Sequence, residues 1–166
     1  MLTLKPLTPD AVPRALEKAE RYRLLNEPAE AESICEDVLA VDADNQQALI
    51  TLLLALTEQF DDGVGGHLGA AREVIPRLAS PYDRAYYAGI VAERHGKAKI
   101  RRGGPGAVGA GHESVRDAMR HYEAAEAVRP AGNDDARLRW NACARLLIRD
   151  HAEVEVMEER FEPLLE

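Results

Sequence analysis

Aromatic side chains make up only 5% of this 166-residue chain, and cysteine occurs twice. With so few rings and 46% hydrophobic residues, the interior has to be filled by aliphatic residues and alanine, which suits helices packed closely on helices. The two thiols, Cys35 and Cys143, lie far apart on apolar helical patterns. They are expected to be reduced and buried, a disulfide being the alternative. No apolar run of about 18 residues occurs, so a membrane is not an expected partner. The start, Met1-Leu2-Thr3-Leu4-Lys5-Pro6, lacks the basic stretch and apolar run of a secretory leader, and a cytoplasmic protein is expected. Positive charge is also scarce: 21 Lys and Arg against 29 Asp and Glu leave a net charge of −8. That balance speaks against a nucleic-acid footprint over the bulk of the surface.

What the chain does have is most legible between His112 and Trp140. Ala118, Tyr122 and Ala125 fall four and then three apart, on one side of a helix. Pro130 stops that helix within Val128-Arg129-Pro130-Ala131-Gly132-Asn133. A second pattern starts at the acidic pair Asp134 and Asp135 and carries Ala136, Trp140 and Cys143 at the same spacing. Two such helices on a short turn form an antiparallel hairpin.

This grammar resembles the tetratricopeptide repeat, in which small residues let paired helices approach and a proline ends the second helix of each pair. The resemblance implies an all-α fold, a right-handed α-solenoid of antiparallel helix hairpins with about eight helices in a single domain. The pairs are expected at about 9–41, 46–79 and 82–129, with an insertion at 97–112 and a terminal pair at 134–166. In the first pair, Ala15, Ala19 and Tyr22 precede the break Asn26-Glu27-Pro28, and Ala31, Cys35 and Val38 follow it. Gln46 to Gln59 is apolar nearly all round, so it should lie between neighbours. In the next helix, from about Leu68 to Leu78, Pro76 disturbs the last turn. Gly89 and Gly96 match the two glycines common in the family's first helix. After Gly96 the basic stretch Lys97-Ala98-Lys99-Ile100-Arg101-Arg102 is expected to extend the fifth helix, and Gly103 to Gly111 to form a flexible loop. A last helix from about Ala152, with Val154, Met157, Phe161 and Leu164 on one side, should cover the end of the stack.

Sites of chemistry are sparse. Gly104-Pro105-Gly106-Ala107-Val108-Gly109 fits the G-x-G-x-x-G spacing. That fingerprint needs a strand before it, and here a basic helical tail precedes it. The phosphate-loop reading fails because Ala110-Gly111 stands where lysine and a hydroxyl residue belong. His112-Glu113-Ser114-Val115-Arg116 begins like a zinc-protease helix, but Arg116 occupies the place of the second histidine. Ser114 has no strained elbow around it and is read as a helix cap. No metal, cofactor or catalytic residue is expected. Lys97, Lys99, Arg101 and Arg102 stand out in an acidic chain as candidate anion contacts, weighed against a solvated helix end that favours cations.

The resemblance further implies a concave face lined by the first helix of each pair, where a protein or peptide partner would lie. It places Glu20, Arg23, Gln47, Ile50, Leu54, Thr57 and Glu93 toward that groove. Its partner-binding residues would be Tyr86, Ile90, Arg94, Arg137, Asn141 and Arg145. Arg137 and Asn141 are similar to half of the clamp with which some family members hold a peptide carboxylate, and guanidinium groups suit an acidic partner. The expected function is therefore a non-catalytic adaptor. Self-association through the apolar third helix or the terminal helix, as a homodimer, is the second reading.

Overall fold

In the computed structural model, residues 1–62 and 66–161 are described, with side chains assigned except at residue 62 and at 154–161. The described residues hold seven α-helices and no strand. They are α1 (Val12–Leu24), α2 (Pro28–Val41), α3 (Gln46–Glu58), α4 (His67–Val74), α5 (Pro81–Arg102), α6 (Ala107–Ala127) and α7 (Asp135–Phe161). The stretches Pro9–Ala11, Phe60–Asp62 and Ile75–Arg77 are short 3-10 turns, the last of them at Pro76 as its ring demands.

Local chemistry sets the boundaries. The Asn45 side chain accepts from the Ala48 amide at 2.9 Å and caps α3, and Ser80 accepts from the Asp83 amide at 3.2 Å ahead of Pro81 to cap α5. Asn133 accepts from the Asp135 amide at 2.9 Å to start α7, and the same oxygen takes the Tyr82 hydroxyl at 3.2 Å, which ties that turn to α5. Pro28 opens α2 just after Asn26, whose φ of 60° turns the chain.

Each first helix packs on its successor: α1 on α2, α3 on α4, α5 on α6. The first helices also touch one another, α1 with α3 and α3 with α5. The expected small-residue positions are the contacts. Ala19, Ala31, Cys35, Val38, Ala118, Tyr122, Ala125, Ala136 and Cys143 are fully or almost fully buried. On α5, a Cβ at Gly89 would sit 2.4 Å from Cε1 of Tyr122, so the missing side chain is the seat of that ring. α3 is enclosed as its composition predicts, with Ala48, Leu49, Thr51, Leu52, Leu53, Ala55, Leu56 and Thr57 all buried. Ile50 and Leu54 of α3 are half-buried.

Two expectations are corrected. Lys97 to Arg102 extend α5 as expected, but Gly103 to Gly111 are not one flexible loop: α6 begins at Ala107, and Gly103 to Gly106 alone form the turn. Gly103, Gly104 and Gly106 have φ of 69°, 98° and 73° there, conformations that favour glycine. Gly111 lies inside α6 and faces α5, where a Cβ would meet Ile100 at 2.4 Å and the Gly96 carbonyl oxygen at 2.8 Å. Close helix contact, not loop freedom, explains its lack of a side chain. The terminal pair is also absent: one helix runs from Asp135 to Phe161, through Arg149-Asp150-His151-Ala152, which contains no glycine or proline to stop it. That accounts for seven helices against the expected eight. The proposed stripe of Val154, Met157 and Phe161 falls on side chains outside those described, and Leu164 lies outside the described residues.

Candidate functional site

A row of charged side chains on the first helices crosses between helix pairs. Arg23 of α1 donates to both carboxylate oxygens of Glu58 on α3, at 2.6 and 3.2 Å. It also reaches Glu20 at 2.9 Å. Arg94 of α5 approaches the same Glu58 Oε1 at 3.5 Å and donates to the Thr57 hydroxyl at 2.6 Å. One carboxylate oxygen thus serves two guanidiniums from two different helices.

The pattern repeats one helix further along. Glu93 of α5 is only 1% exposed. Its Oε1 takes Lys97 Nζ at 2.5 Å and Arg139 of α7 at 3.5 Å, while its Oε2 takes the Tyr122 hydroxyl at 2.6 Å. Burial pushes the Glu93 carboxyl up, but the hydrogen bonds from Lys97 and Tyr122 and the charges of Lys97 and Arg139 outweigh it and hold the group below the usual carboxylate range. Burial and then the Glu93 charge drive the Tyr122 phenol upward, so it remains a donor.

Arg94 is the odd member. Burial lowers its proton affinity, Glu58 raises it, and Arg139 and Arg23 lower it again, leaving it below the ordinary arginine value. Burial is the main cause, and the nearby charge of Glu58 does not offset it together with the repulsion of Arg139 and Arg23. Arg23 and Arg139 end above the ordinary value, because their carboxylate partners offset the burial that would lower them. Beside this seam Tyr82 and Tyr86 stack with ring centres 5.6 Å apart, and Tyr86 meets Tyr87 edge-on at 5.1 Å.

The expected groove residues divide. Tyr86 and Arg94 lie along the seam, half-buried, whereas Ile90 is buried in the core with Tyr122 and Val115. Arg137 turns away from α5: it pairs with Glu126 of α6 and, at 3.5 Å, with Asp134. Asn141 is half-buried, Arg145 is exposed, and neither joins the seam. Arg139 and Lys97, placed outside the groove by the sequence reading, complete the seam. Trp140 packs, partly buried, against the core cluster that holds Ala136 and Cys143, as their shared spacing implied, and Arg139 projects from the neighbouring side of the helix. The Trp140 indole N–H donates to Glu123 of α6 at 2.9 Å.

The remaining basic candidates are tethered. Lys99 reaches the Ser114 hydroxyl at 3.2 Å, Arg101 pairs with Asp61 at 2.6 Å, and Arg102 donates to the Phe60 carbonyl. Ser114 is no cap: it stands within α6 and donates to the Ala110 carbonyl at 3.1 Å. Lys99 and Arg102 also border a shallow cavity of ≈ 290 Å³ at the Gly103–Gly106 turn. The G-x-G-x-x-G spacing lies between two helices, with no strand before it. Among the described residues no His, Cys, Asp or Glu cluster is arranged to hold a metal ion, and no helix is long and apolar enough to cross a membrane. Compared with protein-family models, curated proteins and solved structures, the chain matches none.

Proposed function

We propose that the chain is a helical-repeat adaptor of the tetratricopeptide kind, whose first helices hold an acidic stretch of a partner protein and which performs no chemistry of its own. The stacked hairpins, with Gly89 seating Tyr122 and alanines at the crossings, support a solenoid with a hollow side. The observation that carries the reading is the seam itself. Arg23, Arg94, Lys97 and Arg139 converge on Glu20, Glu58 and Glu93, four cations against three carboxylates in a chain of net charge −8.

A guanidinium in a net cationic neighbourhood gains most from an incoming carboxylate, which it can meet with two parallel hydrogen bonds. Half-buried Tyr86, braced by the buried Tyr82 ring stacked on it, offers rigid apolar surface to the rest of a peptide. Two buried free thiols, Cys35 and Cys143, favour a cytoplasmic setting for the pair of partners.

The test is site-specific photo-crosslinking in cells, with the photoreactive residue at Tyr86 beside the seam or at exposed Glu36 on α2. Adducts should form from Tyr86, not from Glu36, and should disappear with Arg94→Glu plus Arg139→Glu. Equal adducts from both positions, or adducts indifferent to the charge reversals, would refute the proposal.

A further inference from the structure

We infer, building on the adaptor reading, that the acidic group held on the seam is a phosphate monoester dianion on a phosphorylated side chain of the partner, gripped jointly by Arg94 and Arg139. The two guanidiniums differ from their neighbours in which edge they leave open. Arg23 meets Glu58 through Nε and Nη2, at 3.2 and 2.6 Å, and Arg101 meets Asp61 through the same edge at 3.0 and 2.6 Å. Arg94 bonds through Nη1 alone, to the Leu54 carbonyl, the Thr57 hydroxyl and, at 3.5 Å, Glu58. Arg139 likewise uses only Nη1, at 3.5 Å from Glu93. Among the described residues the Nε and Nη2 edge of each meets no acceptor.

The carboxylates at hand are engaged elsewhere: Glu58 closes on Arg23 and Glu93 on Lys97 at 2.5 Å. Burial lowers the proton affinity of Arg94 most, Glu58 restores part of it and the charge of Arg139 lowers it again, so the two guanidiniums lie close enough to repel. A carboxylate brings two coplanar oxygens and one charge, which a single guanidinium edge takes up. A phosphate monoester brings three terminal oxygens on a tetrahedron and a charge of about −1.5 to −2. It can therefore meet edges from two helices and relieve the repulsion between them. Recognition of phosphorylated side chains by arginine clusters works in this way. The Arg94 side chain is 25% exposed and that of Arg139 39%, sheltered and yet open to an incoming group. Half-buried Tyr86 stands beside Arg139, where its ring can lie along the partner's chain.

NMR titration of the arginine Nε–H signals of the full chain tests this at about pH 7.5, where the monoester is mainly a dianion. The probe is a capped peptide of one phosphoserine between two pairs of glutamates. It is compared with the same peptide carrying glutamate in the middle, and with inorganic phosphate. The phosphopeptide should shift the Arg94 and Arg139 signals and bind at least about tenfold more tightly than either comparison, the size of one added hydrogen bond to a charged group. Arg94→Gln, Arg139→Gln and the charge-preserving Arg94→Lys should each weaken it by a similar factor. Arg101→Gln should leave it unchanged, with the helical circular dichroism unaltered in all four variants. Equal binding of the all-glutamate peptide overturns the phosphate and leaves the adaptor reading standing. Inorganic phosphate held as tightly as the phosphopeptide overturns the partner as its source. Phosphopeptide binding that is absent, or indifferent to the substitutions at Arg94 and Arg139, overturns the proposal outright.

Discussion

Gly96 and Gly111 oppose each other so closely that neither helix could carry a side chain there. A Cβ at Gly96 would lie 2.6 Å from the Gly111 carbonyl oxygen, and a Cβ at Gly111 would lie 2.8 Å from that of Gly96. Each would strike the facing backbone, and a Cβ at Gly111 would also meet the Ile100 side chain at 2.4 Å, so the two helices would have to separate.

Gly96→Ala and Gly111→Ala should therefore each destabilise the fold by about 1–3 kcal/mol, the usual range for overpacking. Gly109, in the same helix as Gly111, has nothing within 4 Å of its Cβ position. Gly109→Ala should stabilise by about 0.4–1 kcal/mol through the lost freedom of the unfolded chain. Thermal denaturation of the three variants tests the difference in sign.

The Glu93 carboxyl is held below its ordinary range by Lys97, Tyr122 and Arg139 despite its burial. Its ionisation therefore stabilises the fold above the unfolded carboxyl value of about 4.3, and that contribution is lost as the pH falls through the lower, folded value. Urea titrations below about pH 4.5 should show this loss in the native chain and much less of it in Glu93→Gln. Tyr122→Phe removes one donor from the buried carboxylate and should cost about 1.5–3 kcal/mol at neutral pH, the range for hydrogen bonds to charged groups.

How much of this was legible in the sequence depends on what signals each feature. Helix faces announce themselves by spacing: Ala118, Tyr122 and Ala125, or Ala31, Cys35 and Val38, could be read as packing positions because a helix repeats every few residues, and all six are buried. Glycine is ambiguous. Gly103 and Gly106 make a turn, whereas Gly111 makes a close helix crossing, and composition alone cannot separate the two. The seam was only half visible, since Arg94 and Glu93 could be placed on α5 but their partners on α3 and α7 depend on how those helices rotate. An ion pair between helices leaves no periodic trace. The end of α7 was misread because a length expected from the repeat was imposed on a stretch that contains no stop.

Burial pushes both thiols up to about 12, Cys35 and Cys143 alike. A thiolate is the reactive form, so both should resist a thiol-specific reagent in native chain at about pH 8 and react promptly on unfolding. Rapid native labelling of either would contradict the burial of its helix crossing.

Asp150 of α7 accepts a hydrogen bond from Nε2 of His112 of α6 at 2.8 Å, and Arg149 flanks it at 3.0 Å. The hydrogen bond with His112 is the main reason its carboxyl lies below the usual range. Asp150→Asn should speed amide hydrogen exchange in the second half of α7 while leaving α1 to α5 unchanged, since local openings follow local contacts.

The shared oxygens of Glu58 and Glu93 stitch α1, α3, α5 and α7 together, and among the described residues no ion pair joins α2 to α4 or α4 to α6. Apart from the α6–α7 pairs of His112 with Asp150 and Arg137 with Glu126, the ion pairs between helix pairs gather on the first helices. Dissolved salt loosens lacing of that kind and leaves apolar contacts intact or tightened, so ionic strength should act on this chain as an adjustable tension, relaxing the helices where the charges gather.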